Sequence, residues 1–306
     1  MNRFYYTTFG ISVISEIELP ALLPINKEDA DPNPVYVSIG SVPEKLMQEG
    51  VAADSRCFCN ANEMIFTAEG EIKFYISQGN SILIEPIDPN YVPHLIYFYS
   101  NGLAAILYQR NLIPFHVSGV FVEEGKVALF AAPSKTGKST LAVKLQELGY
   151  KPFTDDTAVL FIKDEKCYAQ ASYPMIRLWQ QTLPEQSLLS TADKQKLYDV
   201  DEVNKYGFSF HEHFAEEPVE VVQILFLKEE GSEIVKKSVT LMDAFSELSN
   251  NVYRCHWIPA MQKGRVQFEL ISQILSLVPF HRVLRPKGQK SFEEFPQFVK
   301  KILVNR

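Results

Sequence analysis

The most constraining stretch of the sequence runs from residue 127 to residue 156, where an apolar segment leads into a Gly-Lys-Ser-Thr motif and later into two adjacent aspartates. Residues 127–131 are all apolar, which is typical of a buried strand. Residues 140–148 carry leucines at helical spacing, and Gly149 is a suitable helix stop. A strand, a loop and a helix that begins at Gly-Lys-Ser form the context that a phosphate-binding loop requires.

The predicted loop supplies groups that phosphate oxygens bind. A helix start presents unpaired backbone N–H groups and the positive end of the helix dipole. Gly137 allows close approach of the backbone, Lys138 brings a positive charge to the terminal phosphates, and the Ser139 hydroxyl suits the Mg²⁺ that accompanies a nucleotide. The residues predicted to bind the nucleotide phosphates are Ser134, Lys135, Thr136, Gly137, Lys138, Ser139 and Thr140.

The loop departs from the usual pattern at two positions. Ala132 stands where such loops open with glycine, and Lys135 stands where many carry a second glycine. If Ala132 had to adopt a positive φ, its Cβ would cost about 1 kcal/mol. An ordinary strand-to-helix turn is therefore the alternative interpretation of this segment.

Two adjacent carboxylates follow the predicted helix. Asp155 and Asp156 precede an apolar run at 158–162 that indicates another strand, so both lie near the phosphate loop. One carboxylate can hold Mg²⁺ and the other can accept the proton of an attacking hydroxyl. We assign acceptance of the hydroxyl proton to Asp155, and binding of Mg²⁺ to Asp156 together with Ser139. The alternative is a solvated turn.

These motifs resemble the HPr kinase/phosphorylase family. His116 lies sixteen residues before Ala132, and Asp155 and Asp156 follow the loop at the family's spacing. The chain as a whole is most similar to the HPr-kinase-like proteins encoded beside lasso peptide precursors. The resemblance implies an α/β fold in which a C-terminal P-loop domain, related also to phosphoenolpyruvate carboxykinase, follows a smaller N-terminal β-rich domain.

The resemblance also implies an activity. We expect a kinase, dependent on ATP and Mg²⁺, that phosphorylates a serine hydroxyl of a ribosomally made precursor peptide, at the peptide's C-terminus. Phosphorylation of a protein such as HPr, or of a small hydroxyl compound, is the first alternative. A nucleotide-binding peptide carrier without catalysis is the second.

Four further positions take their expected roles from the resemblance. His116 is expected to contact the terminal phosphate or to orient Asp155. Arg177 suits a phosphate or a peptide carboxylate, and Lys205 is a candidate for closing on the γ-phosphate. Met175 stands where the HPr kinases carry a metal-binding glutamate. The alternatives are an ordinary core or surface residue for His116, a surface ion pair for Arg177 and a solvated side chain for Lys205.

The predicted domains are 1–90 and 91–306. Short alternating runs at 35–39, 64–67, 72–76 and 81–84 are typical of a strand meander. A helical pattern at 91–110 would link the two domains. The first domain is a candidate for binding the peptide by strand addition to a sheet edge.

The remaining segments give further expectations. Helices are predicted at 180–204, 240–248, 267–277 and 291–303, and strands at 219–227, 235–239 and 280–284, with 235–239 pairing with 219–227. Phe268 is expected on the core face of its helix. The triplet 211–213, His-Glu-His, is interpreted as a surface loop. Arg285 and Lys287 follow the last strand, but neither is assigned to the nucleotide.

Composition limits the class of partner. The chain has 30 Lys and Arg against 37 Asp and Glu, a net charge of −7, which argues against nucleic acid. The sequence has no apolar run long enough to cross a membrane and no signal-peptide pattern, so we expect a cytoplasmic protein. Its four cysteines are expected to be reduced, with Cys57 and Cys59 on one strand. A homo-oligomer is possible.

Overall fold

The structure is a computed structural model of the chain. It describes residues 3–68, 72–86, 95–133, 136–179, 194–200, 203–210, 214–287, 291 and 293–305; within 177–179, 194–200 and 203–209 it describes only the backbone, apart from Phe208. The chain forms two compact units, of which the first comprises Met1–Pro114 with Tyr253–Phe268 and the second Phe115–Val252 with Glu269–Arg306.

The first unit is built on a nine-stranded sheet with the order β3-β1-β2-β4-β9-β8-β7-β6-β5. Its strands are β1 Phe4–Thr8, β2 Ile11–Ser15, β3 Leu23–Pro24, β4 Val35–Ile39, β5 Val51–Asp54, β6 Cys57–Cys59, β7 Glu63–Thr67, β8 Lys73–Ser77 and β9 Ser81–Glu85. Side chains alternate between the two faces, so that Phe74, Ile76 and Ile84 are fully buried. The predicted meander is confirmed, and Cys57 and Cys59 are buried free thiols on one strand.

A helical segment packs into this same unit and explains where the chain divides. It consists of α1 Leu95–Tyr97, a π-helical turn Phe98–Gly102 and α2 Leu103–Gln109. The Gln109 side chain donates to the Ile76 carbonyl at 3.1 Å and accepts from the Gly79 N–H at 2.7 Å. Because these bonds tie the helix to the β8–β9 hairpin, the first unit extends to Pro114, beyond the residue 90 expected from the sequence.

A buried carboxylate fixes one loop of the first unit. Glu63 is 2% exposed and accepts hydrogen bonds from the Tyr75 hydroxyl at 2.5 Å and from the backbone N–H groups of Met47 and Gln48 at 3.1 and 3.0 Å. Burial raises the pKa of Glu63, but these hydrogen bonds outweigh it and hold the pKa below its usual value. Burial of Tyr75 and its hydrogen bond to Glu63 raise the pKa of Tyr75 to about 12.

We expect Glu63→Gln to destabilise the protein at pH 7 by about 1–3 kcal/mol, because a charge-assisted acceptor of backbone N–H groups is lost. The stability that Glu63 contributes is fully present above its ordinary pKa of 4.5 and is lost as pH falls through its lowered folded-state pKa. The free energies of unfolding of the wild type and the variant, measured by urea titration, should therefore converge only when the pH falls below the folded-state pKa of Glu63. Glu44→Gln, in the same loop, is the control; a pH-independent difference would contradict the assignment.

The second unit contains a mixed sheet with the order β10-β14-β15-β19-β12-β11-β13, in which β21 pairs with β19 and β20. The strands from Pro114 onward are β10 Pro114–Phe115, β11 Val117–Glu123, β12 Lys126–Ala131, β13 Pro152–Thr154, β14 Ala158–Lys163, β15 Lys166–Ala171, β16 Met175–Trp179, β17 Lys194–Val200, β18 Val203–Ser209, β19 Val219–Glu229, β20 Val235–Lys237 and β21 Phe280–Arg285. Of these, β16, β18 and β17 form a separate sheet in that order. The three strands β12, β19 and β21 run parallel.

The helices that follow Pro114 are α3 Lys138–Glu147, α4 Leu241–Asn250, α5 Gly264–Leu277 and α6 Glu294–Val304. Helices α3 and α6 bury their apolar stripes against one face of the sheet, where Leu141, Phe130 and Val299 belong to a single core cluster. The predicted strand and helix on either side of the phosphate loop are confirmed. No helix among the residues described is both long and apolar enough to cross a membrane.

Some predicted elements are wrong. Where a helix was predicted over 180–204, the structure places the antiparallel pair β17 and β18, and residues 180–193 lie outside the described part. The segment 197–208 carries aromatic and β-branched residues that suit a pleated sheet, and β16 supplies a third strand. Strand β20 pairs with β21, not with β19. Phe268 is 60% exposed, and the triplet 211–213 lies outside the described residues.

Candidate functional site

The strand order brings three separate sequence segments to one edge of the second sheet. Strand β11 is antiparallel to β12, with Val117 paired to Ala131, and β13 is antiparallel to β11, with Thr154 paired to Gly119. The start of β11 therefore meets the ends of β12 and β13. His116, the phosphate loop and the two aspartates are the residues that continue from these three ends.

Gly119 allows these strands to approach closely. A Cβ at this position would lie 2.8 Å from Leu129 Cδ2, 3.1 Å from the Ala128 carbonyl oxygen and 3.3 Å from Phe153 Cδ1. Contacts this short would force the neighbouring strands apart. The absence of a side chain at Gly119 thus helps to set the separation between the phosphate loop and the aspartate pair.

The phosphate loop has the backbone geometry that its glycine predicts. Gly137 precedes α3 with φ 94° and ψ 21°, in the left-handed region, and its carbonyl accepts the Leu141 N–H at 2.9 Å. Lys138, Ser139 and Thr140 form the first turn of α3. The N–H groups of this turn point toward the loop, as anion binding requires. Ser134 and Lys135 lie outside the described residues.

Ala132 does not carry the backbone strain that a glycine position would have imposed. It does not have a positive φ, and it is 2% exposed within the core cluster that includes Leu141 and Leu145. Its methyl group therefore packs under the loop, and the cost of about 1 kcal/mol for a left-handed alanine does not apply. The alanine is compatible with a phosphate-binding loop.

Lys138 is held across the loop. Its Nζ donates to the carbonyl oxygens of Ala132 at 2.6 Å and Pro133 at 3.4 Å, and the residue is only 6% exposed. The ammonium group therefore lies against the carbonyl oxygens at the start of the loop and does not extend into solvent. This position satisfies two carbonyl groups that would otherwise repel an anion.

The two aspartates occupy different environments. Asp155 is 1% exposed and accepts the Ser118 hydroxyl at 3.0 Å through Oδ1. Asp156 has a positive φ of 77°, and its side chain is 16% exposed. A hydrogen bond of 2.8 Å from the Thr154 hydroxyl to the Thr157 carbonyl closes the turn. The turn thus separates a buried carboxylate, held by a hydroxyl, from a more accessible one.

His116 lies beside the accessible carboxylate. Its Nε2 is 3.7 Å from Asp156 Oδ1, and its backbone N–H donates to the Asn251 carbonyl at 2.6 Å. The Asn251 side chain in turn donates to the Glu247 carbonyl in the last turn of α4 at 2.8 Å. The sequence linked His116 to Asp155 or to a phosphate, whereas the carboxylate that it meets at this distance is Asp156.

Two other expected residues lie on the sheet formed by β16, β17 and β18. Arg177 is paired in register with Gly207, and Trp179 with Lys205, and α3 contacts β16. The side chains of Arg177 and Lys205 lie outside the described part, so their approach to the loop stays a prediction. Met175 is 1% exposed, so its apolar side chain belongs to the core.

The structure places one cation at the phosphate loop that the sequence analysis did not assign to the nucleotide. Arg285, at the end of β21, donates from Nη2 to the Thr136 carbonyl at 3.1 Å and forms an ion pair with Glu229 at the end of β19. Both strands run parallel to β12, so their ends lie at the same edge as the phosphate loop. The sequence carries no local signal for this position, because the order of the strands is known only from the structure.

The donor set fits a magnesium nucleotide. The Ser139 hydroxyl and the Asp156 carboxylate are oxygen donors, which Mg²⁺ prefers, and a nucleotide's phosphates supply others. Within the described ranges, no group of three or more His, Cys, Asp or Glu side chains is arranged to hold a metal by itself. Ser139 and Asp156 therefore suit a cation that takes its remaining ligands from phosphate.

Comparisons with known proteins give matches among solved structures. No family model and no curated protein matches the chain. Among solved structures, the Hpr(Ser) kinase/phosphatase from Coxiella burnetii aligns with a TM-score of 0.29 and 10% sequence identity, covering 63% of this chain and 94% of that chain. The functional argument therefore rests on the geometry of the site.

Proposed function

We propose that the protein is a phosphotransferase that uses Mg-ATP to phosphorylate the serine hydroxyl of a peptide, with the C-terminal serine of a lasso peptide precursor as the acceptor. One observation carries the reaction type: a Gly-Lys-Ser-Thr helix start lies at the same sheet edge as Asp155, a buried carboxylate held by Ser118. The acceptor is taken from the resemblance that the sequence motifs carry.

The proposed roles follow from charge and position. Lys138 and the N–H groups of the first turn of α3 bind the phosphates, and Ser139 and Asp156 hold the Mg²⁺ that neutralises them. Asp155 accepts the proton of the serine hydroxyl, with Ser118 fixing its orientation through the 3.0 Å bond. His116 steadies Asp156, and Arg177 and Lys205 are assigned to the phosphate or the peptide carboxylate.

Little covalent chemistry is required of the protein. Phosphoryl transfer depends mainly on positioning and on neutralising the charge of the phosphates. A buried carboxylate next to a cationic loop supplies a proton acceptor and an electrostatic field in one place. These properties support a kinase over a carrier that only binds nucleotide.

The direct test is mass spectrometry of candidate acceptors after incubation with the full chain and Mg-ATP. We expect a mass gain of one or more phosphates on a lasso precursor peptide ending in serine, and none on the same peptide ending in alanine. A gain on HPr alone would reassign the acceptor. Retained ATP binding with no gain on either would contradict the peptide-kinase proposal and favour a small hydroxyl acceptor or a non-catalytic carrier.

A further inference from the structure

His116 lies at a break between two strands, and its main chain is held by a segment that follows α4. The break is a single residue long, between β10 and β11. The His116 N–H donates to the Asn251 carbonyl at 2.6 Å, and the preceding Phe115 forms an isolated antiparallel bridge with Val252. Residues 251 and 252 therefore fix the point at which the His116 side chain leaves the backbone.

Asn251 is the residue that ends α4. Its backbone N–H donates to the Glu247 and Leu248 carbonyls at 3.2 and 3.1 Å, and its side-chain amide donates to the Glu247 carbonyl at 2.8 Å. A carbonyl oxygen has two lone pairs, so that of Glu247 accepts both donors. Asn251 is 6% exposed. Its side chain therefore fastens its own residue to the last turn of the helix in a place that water hardly reaches.

The same turn is anchored to the strands beside the phosphate loop. The Glu247 carboxylate accepts from Arg282 Nε of β21 at 2.9 Å and lies 3.0 Å from Lys228 Nζ of β19. Strand β19 pairs directly with β12, which leads into the phosphate loop. The end of α4 is thus tied on one side to this sheet and on the other side to His116.

The position of His116 is sensitive to such a tie. Its Nε2 lies 3.7 Å from Asp156 Oδ1, beyond the length of a direct hydrogen bond, and Asp156 is held in a turn with a φ of 77°. A shift of the His116 backbone changes this separation directly. Misplacing a group in a reacting site by about 1 Å costs up to about 100-fold in rate.

We propose that Asn251 is a positioning residue, which fastens the end of α4 and so places His116 beside Asp156 during phosphoryl transfer. This assignment rests on the proposed function, in which His116 steadies the carboxylate that holds Mg²⁺. It adds a residue that no sequence motif marks and that touches neither the nucleotide nor the acceptor.

The test compares two substitutions of Asn251 in steady-state phosphorylation of the acceptor peptide by the full chain. Asn251→Ala keeps the backbone carbonyl that accepts the His116 N–H but removes the amide. We expect kcat to fall about tenfold while KM for Mg-ATP stays within about twofold. A serine hydroxyl can donate to the carbonyl four residues earlier in a helix, here that of Glu247, so Asn251→Ser should restore at least about half of the wild-type kcat. Asn250→Ala, at the exposed preceding position, is the matched control and should leave kcat unchanged.

A double-mutant cycle separates positioning from a general effect on the fold. If Asn251 acts through His116, adding Asn251→Ala to His116→Ala should lower kcat by less than about a further twofold. The NMR signals of the His116 imidazole, assigned with His116→Ala, provide a readout that needs no turnover. They should shift in Asn251→Ala and return toward their wild-type positions in Asn251→Ser.

Each contrary outcome has its own meaning. Unchanged kcat in Asn251→Ala would overturn the positioning role and leave the proposed function standing. Losses that multiply in the double variant would mean that Asn251 does not act through His116, and would overturn the role as well. If the wild type transfers no phosphate, the proposed function fails, and identical imidazole signals in wild type and Asn251→Ala would then overturn the positioning too. Thermal unfolding establishes that each variant is folded; Asn251→Asp, which keeps the shape and loses the donor, replaces an unfolded alanine variant.

Discussion

Asp155→Asn is expected to lower the turnover number by about 10²- to 10⁴-fold, the range that a general base contributes, while Mg-ATP affinity stays within about threefold. The asparagine side chain has the same shape, and its carbonyl oxygen still accepts the Ser118 hydroxyl that lies 3.0 Å from Oδ1. The fold is therefore retained at a position that is 1% exposed. What is lost is the ability to take a proton.

The measurement is single-turnover phosphoryl transfer to the acceptor peptide, with Mg-ATP binding followed by calorimetry. Asp156→Asn is the informative comparison, because its loss should be partly recovered by raising the Mg²⁺ concentration if that carboxylate holds the metal. If Asp156→Asn loses turnover at saturating Mg²⁺ and Asp155→Asn does not, the two roles are reversed.

A matched control tests whether any aspartate in a strained turn would have the same effect. Asp164 has a positive φ of 49° in the turn between β14 and β15, as Asp156 has in its own turn. It lies at the opposite end of β14 from Asp156. Asp164→Asn should keep full turnover, and a comparable loss there would mean that the Asp156 effect is structural.

The phosphate loop could be predicted because its signal is local. Lys126–Ala131 forms a strand and Lys138–Glu147 a helix for reasons contained within this one continuous stretch, namely apolar continuity, helical spacing and a glycine between them. The departure at Ala132 could not be judged in the same way. Its cost depended on a backbone angle, which only the packing of its methyl group beneath the loop decides.

The rest of the site depends on strand order, which the sequence does not display. Arg285 reaches Thr136 across 149 residues of chain, and nothing near Arg285 in sequence marks it as part of a nucleotide site. His116 meets Asp156 because β11 and β13 are neighbours, a pairing that the spacing of these residues in the sequence does not show. The segment 194–209 was misassigned because its strands are defined by pairing with each other.

Lys138→Met is the second substitution with a large expected effect. We expect kcat/KM for Mg-ATP to fall by about 10²- to 10³-fold, the loss typical of removing one preorganised cationic donor from a charge-stabilising site. Methionine keeps the length and apolar stem of a residue that is 6% exposed, so the core contacts of the stem are preserved. The positive charge, and the donor to the Ala132 carbonyl at 2.6 Å, are removed.

Because Lys138 also ties down the loop, its effect has a structural and an electrostatic part, and two measurements separate them. The free energy of unfolding should fall by about 1–3 kcal/mol, since the Ala132 carbonyl loses a buried donor. Mg-tripolyphosphate binding should weaken in parallel with Mg-ATP binding, because the charge acts on phosphate and not on the nucleoside.

Lys166→Met, which removes an exposed ion pair with Glu220 near the start of β19, is the control and should leave both the free energy of unfolding and the tripolyphosphate affinity unchanged. Normal tripolyphosphate affinity in Lys138→Met would remove the lysine from the phosphate site, and with it the main electrostatic reason for proposing a kinase.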